Sequence, residues 1–242
     1  MRENCRVWAY LETWIVQDGQ FPGISLGAVV DAVGLSFTGH IDDTPDAGSV
    51  STSPGIAMAS ACDSYDRSNS YSYVVVGKAS FVDDAYAAVD SDGRPLPPAA
   101  PARHVGAEFL LTTPTVNVRA IAVNATAEEV AAFELVRLRG HFNVMPEHEY
   151  EYGEQYVNQL PRSWTVRGIR AQRYALTWTK NVSPDGRTAW EGQPGAYLDA
   201  VELDSIDPWE DERRFGDMQT SSTPGPPEAH QFTYVVDLVS HQ

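Results

Sequence analysis

Tyr71-Ser-Tyr-Val-Val-Val-Gly-Lys-Ala-Ser-Phe-Val82 sets how the chain is read. Aromatic and β-branched residues dominate it, and such side chains suit a pleated, half-buried surface. Similar strand signals follow at residues 108–112, 116–123 and 135–144, and again at 164–179. Between the third and fourth of these five strands lies Thr126-Ala-Glu-Glu-Val-Ala-Ala-Phe133. Thr126 and Glu129 have capping-box spacing, so the hydroxyl and the carboxylate each satisfy a first-turn amide. The order is strand, strand, strand, short helix, strand, strand. An OB-type barrel places its helix at this point. Many other small barrels share this order, so an OB-type barrel is one of several readings for the central part, with its fifth strand beginning at residue 163.

Outward from this centre, residues 6–16 and 33–41 read as strands upstream, and 196–206 and 232–239 downstream. The predicted class is all-β with one short helix, barrel-like or sandwich-like. Residues 1–65 are expected to supply N-terminal strands and a long polar loop. Residues 71–180 form the main body, and residues 181–242 close it. A stretch rich in Pro, Ser and Thr at 216–228 reads as a linker.

The chain has 242 residues, 43% hydrophobic and 21% charged, enough apolar material for a sizeable core. It has 33 acidic residues against 17 basic ones, for a formal net charge of −16. Only Lys78 and Lys180 are lysines. Such a balance repels phosphate, which disfavours nucleic acid and anionic membrane surfaces as partners. It favours a basic protein. Cys5 and Cys62 make no disulfide framework. The first twenty residues lack the apolar core of a secretory signal, and no run matches a membrane-spanning helix. The expectation is a soluble cytoplasmic protein with reduced thiols. No cofactor motif is present, and no cofactor or metal is expected.

Gly23-Ile-Ser-Leu-Gly27 matches the G-x-S-x-G of a hydrolase nucleophile elbow, with Ser25 as the candidate nucleophile. The elbow needs a buried strand before the Ser and a helix after it. Gln20-Phe21-Pro22 is instead a turn-like approach, and two glycines suit a surface turn. Asp90-Ser-Asp-Gly-Arg94 resembles part of a calcium loop, but the first and last ligand positions are alanines, so a turn is expected.

The densest chemistry lies in residues 141–156. In an extended strand, Glu147, Glu149 and Glu151 share one face, and His148, Tyr150 and Tyr152 share the other. Like charges at alternate positions repel, so an ordered row calls for a cation or a basic partner, of which the basic partner is the favoured reading. Glu154 extends this patch. Asp207, Glu210 and Asp211 form a second patch around Trp209, followed by Arg213 and Arg214 in what reads as a salt-bridged loop. His148 and Tyr150 are the candidates for acid or base work. Trp8, Trp14, Trp164 and Trp178 fall in or beside strands, where they either wall a ligand pocket or fill a core.

Arg6-Val-Trp-Ala-Tyr-Leu-Glu-Thr-Trp14, Ile24-Ser-Leu-Gly-Ala-Val-Val30 and Val136-Arg-Leu-Arg-Gly-His-Phe-Asn-Val144 resemble stretches of small uncharacterised bacterial β-barrel proteins. The resemblance implies a β-rich fold and no particular activity. The favoured functional expectation is a non-enzymatic acidic interaction protein, of the inhibitor, immunity or regulatory-subunit kind, with a basic protein partner. The alternative is a small-molecule-binding β-barrel for an apolar ligand, or a cyclase- or isomerase-like enzyme without a linear motif. A Ser25 hydrolase is third.

Overall fold

A computed structural model of the chain describes residues 5–17, 19, 24–31, 34–41, 54–58, 71–81, 106–145, 163–182, 188–215 and 230–240. The architecture is all-β, a closed five-stranded barrel extended by a second sheet.

The barrel consists of β3 (Gly34–Ile41), β5 (Tyr73–Ser80), β6 (Ala107–Thr112), β7 (Asn117–Ala122) and β8 (Val136–Met145). β5, β6 and β7 form an antiparallel meander. β3 runs parallel to β7 and antiparallel to β8, and β8 closes the ring by pairing antiparallel with β5. The helix α2 (Ala127–Ala131) joins β7 to β8 with both halves of its capping box formed. Val130 of α2 is buried in the core.

These pairings are those of an OB barrel in which β5 to β8 fill the first four positions. The fifth, parallel to the third, is filled by β3, which precedes the other four in the chain. The fifth strand expected at residue 163 belongs elsewhere. Alternation along β3 buries Leu35 and Phe37, and β8 adds Leu138 and Phe142. The rings of Phe37 and Tyr73 both meet Phe142 edge-on, at 4.8 and 5.2 Å between centroids. Phe109, Leu111, Val118 and Ala120 complete a filled interior.

The second sheet is organised by β9 (Ser163–Val182). One edge of β9 pairs with β11 (His230–Ser240), and the other with β10 (Thr188–Glu202) and the short β2 (Val29–Asp31). β1 (Arg6–Leu11) pairs antiparallel with β11. β4 (Gly55–Met58) pairs with β5 at the end of the strand order.

The two sheets join at β8. Its residues 136–140 pair with β5, and Phe142 and Asn143 pair in parallel with β1. β8 therefore forks, its first half in the barrel and its second half under the sheet. One continuous hydrophobic core crosses the junction.

Two segments depart from the sequence reading. Residues 6–16 do not form one strand: β1 ends at Leu11 and α1 (Thr13–Gln17) follows. Ile15 and Val16 are both buried, which consecutive strand residues on a one-sided sheet cannot achieve but a helical turn can. The expected acidic loop contains the helix α3 (Pro208–Phe215), so the described residues hold three short helices where the sequence reading gives one. No helix among the described residues is long and apolar enough to cross a membrane.

Candidate functional site

The sequence of α3 explains its formation. Asp207 is the N-cap: its carboxylate accepts from the amides of Trp209 and Glu210 at 3.2 and 3.0 Å. Pro208 opens the helix, where its missing N–H costs nothing. Glu210 and Asp211 sit at the positive end, and Arg213 and Arg214 at the negative end. Phe215 anchors the far end against Phe232, with ring centroids 5.8 Å apart. Gln17 of α1 donates to Glu212 at 2.7 Å.

The three acids assigned to this patch separate once the segment is helical. Asp207 is exposed and caps the helix. Glu210 is exposed and pairs with Arg213 at 2.9 Å, a contact of little energetic weight in water. Asp211 is only 5% exposed. Its carboxylate turns inward, accepting from the Tyr234 hydroxyl at 2.9 Å and the Asp207 amide at 3.0 Å. Burial, followed by the Asp211 contact, raises the Tyr234 phenol far above its ordinary range. Asp211 therefore fastens the helix to β11 and presents nothing to a partner.

Trp209 faces the other way. It is 64% exposed on the first turn, between Asp207 and Glu210. The segment leading into α3 is hydrogen-bonded to residues 24–26: the Leu26 amide donates to Asp204 O at 2.8 Å, and Ile206 N donates to Ile24 O at 3.0 Å. Leu26 and Val29 are also exposed. This corner of the sheet thus combines apolar and acidic side chains on a fixed backbone.

The described arginines are largely neutralised within the fold. Arg6 pairs with Asp237, Arg119 with Glu108, Arg170 with Glu202, Arg173 with Asp199 and Arg213 with Glu210.

A second feature lies at the fork in β8. Cys5 and residues 6–8 of β1 precede the point where β1 meets β8, so the barrel and the sheet diverge there. A cleft of about 440 Å³ opens between them, lined by Cys5, Arg6, Trp8, Ile56, Met58, Tyr73 and Thr115. The Trp8 amide, lacking a strand partner on that side, donates to the Tyr73 hydroxyl at 2.7 Å. The Trp8 ring stacks on Tyr71 at 4.7 Å, and the Arg170 guanidinium lies 4.7 Å from its centre. Arg170 also donates to the Tyr71 hydroxyl. At the opening, Arg6 grips the buried carboxylate of Asp237 through Nε and Nη2.

Burial pushes the Cys5 thiol up to about 11 and the Tyr73 phenol up to about 12. Both remain protonated at neutral pH, so neither is an activated nucleophile or base. Their ordinary values are 9.0 and 10.0. Between the ordinary and the raised values, the unfolded chain has lost protons that the folded chain keeps. Stability therefore falls as pH rises through this window, and is untouched below it. Urea midpoints should be flat from pH 7 to 8.5 and drop from pH 9 to 11, with Cys5 unalkylated by iodoacetamide at pH 8. A flat alkaline profile, or rapid labelling of Cys5, would contradict this assignment.

The other sequence candidates are distributed as follows. Ser25 forms an isolated bridge with Ser205 and enters a turn in which Gly27 has φ +82°. No helix follows it, so the strand–Ser–helix elbow is not formed. Trp164 is wholly buried in the core. Trp14 lies in α1 and Trp178 in β9, with side chains outside the described residues. Glu147, His148, Glu149, Tyr150, Glu151 and Glu154 also lie outside them. Sequence reasoning missed Arg6, Met58 and Tyr73, whose meeting depends on the fork in β8. Comparison with family models, curated proteins and solved structures finds no match for the chain.

Proposed function

We propose that the protein is a non-enzymatic interaction protein that docks a basic protein partner on the face of α3. The observation that carries this reading is Trp209, left 64% exposed on a capped and anchored helix with Asp207 and Glu210 beside it. An exposed Trp on a rigid element is a typical energetic anchor of an interface. Carboxylates around it attract a basic surface and speed association. The formal net charge of −16 supports the same partner class, because it attracts a basic surface. Glu147, Glu149, Glu151 and Glu154 belong to this proposal as a second acidic face. A cytoplasmic, reducing setting is part of it as well, supported by the free thiol of Cys5.

The test compares the intact chain with Trp209→Ala and Glu210→Lys, each used as bait in a gentle purification read by native mass spectrometry. The expected result is a basic polypeptide on the parent chain. Each substitution should weaken its binding at least tenfold, and added salt should slow association with the parent. Retention of the same polypeptide by both variants at parental affinity would remove α3 as the interface.

A further inference from the structure

We infer that the cleft at the fork of β8 is a binding site for an uncharged, largely apolar small molecule that presents a carbonyl acceptor. This site is separate from the α3 face, and neither depends on the other.

Apart from the Thr115 hydroxyl, which can donate or accept, the polar side chains lining the cleft are donors. Tyr73 is 3% exposed, and its oxygen already accepts from Trp8 N–H. Its own hydrogen has no acceptor among the described residues, so it remains a donor at the floor of the cleft. The Cys5 thiol beside it is a second, weaker donor. Arg6 commits Nε and Nη2 to Asp237, and its Nη1 has no acceptor among the described residues. Floor and opening therefore offer hydrogens and ask for a lone pair.

About half of the wall is apolar and adaptable: the Trp8 ring, the Ile56 side chain and the flexible thioether of Met58, which is 59% exposed. A volume of about 440 Å³ falls in the usual range for small-molecule sites, about 300–1,000 Å³. The charge of the ligand follows from Asp237. Its carboxylate is buried close enough to Tyr73 to disfavour ionisation of the phenol. Arg6 is already neutralised by that carboxylate. An anionic ligand gains no free cation here and meets the field of Asp237, whereas a neutral carbonyl takes the Tyr73 hydrogen without that penalty.

Three probes separate these features: benzophenone, diphenylmethane with the same rings and no acceptor, and diphenylacetate with a carboxylate. Binding to the full chain is measured by equilibrium dialysis, and benzophenone is then photo-crosslinked and mapped by peptide mass spectrometry. Benzophenone should bind at least about fivefold more tightly than either of the others, the effect of one net hydrogen bond. It should label residues 5–8, 55–58 or 71–73. Tyr73→Phe should reduce benzophenone to the level of diphenylmethane. Met58→Trp fills the opening from an exposed position; it should abolish binding and leave the melting temperature unchanged. It serves as the decisive variant if Tyr73→Phe fails to fold. Equal affinity for all three probes, absence of benzophenone binding, or labelling confined to other residues would overturn the site. Tighter binding of diphenylacetate would overturn the uncharged class.

Discussion

Gly140→Ala should yield a chain that does not fold at 25 °C. Gly140 sits opposite Gly39 of β3 and opposite Tyr73 of β5, just before β8 changes partner from β5 to β1. A Cβ at this position would lie 2.0 Å from Thr38 O and 2.5 Å from Gly39 Cα. Both are backbone atoms, so no rotamer change relieves the overlap. Relief requires β3 and β8 to separate, which breaks one of the ladders of the closed barrel. Clashes of this kind belong to the rare substitutions costing more than about 4–5 kcal/mol, against total stabilities of about 5–15 kcal/mol for natural domains. The matched control is Gly27→Ala, at a turn with φ +82° and no neighbour within 4 Å of the added methyl. Its cost is limited to the left-handed conformation, about 1–2 kcal/mol. Circular dichroism and urea titration of the two variants read the difference. A Gly140→Ala chain with parental melting would mean that β3 and β8 are not paired as described.

The same junction shows where a linear reading stops. The meander and the capped helix could be read because they rest on local rules: strand propensity, turn residues and the Thr126–Glu129 box. The fifth barrel strand could not. Leu35 and Phe37 alternate inward whether β3 adds to β7 or lies in another sheet, so pattern alone leaves the neighbour open. Order along the chain suggested residue 163, and the barrel takes a strand that comes earlier. Trp14-Ile-Val16 was ambiguous for a related reason. A short apolar run of three carries no period, and burial of Ile15 and Val16 together settles it as a helical turn.

The α3 face was partly legible. Asp207, Glu210 and Trp209 stood out as an acidic and aromatic cluster. Proximity in sequence groups Asp211 with them, but proximity in sequence is not proximity on a surface. Helical spacing places Asp211 four residues after the cap and on the inner side, where it meets Tyr234. The Asp-Pro start and the Arg-Arg end were available signals for a helix. The cleft had no comparable signal. Its residues come from β1, β4, β5 and the turn after β6, and only the divergence of the two sheets brings them together.

Trp164→Ala tests which of the two roles open to a strand tryptophan, pocket wall or core, Trp164 takes. Trp164 is 0% exposed on β9, opposite Val30 on one side and Ser240 on the other. Replacing a fully buried Trp by Ala removes its transfer energy and leaves a cavity, an expected loss of about 3–5 kcal/mol. The urea midpoint should fall steeply with little change in slope, because the surface exposed on unfolding is nearly the same. Binding at the α3 face and in the cleft should survive under conditions where the variant is folded. Trp209→Ala should show the reverse: stability within about 0.5 kcal/mol of the parent and loss of the partner. If Trp164→Ala instead kept parental stability, β9 would not be the buried centre of the second sheet. The fork that opens the cleft would then lose the strand framework that holds its far wall in place.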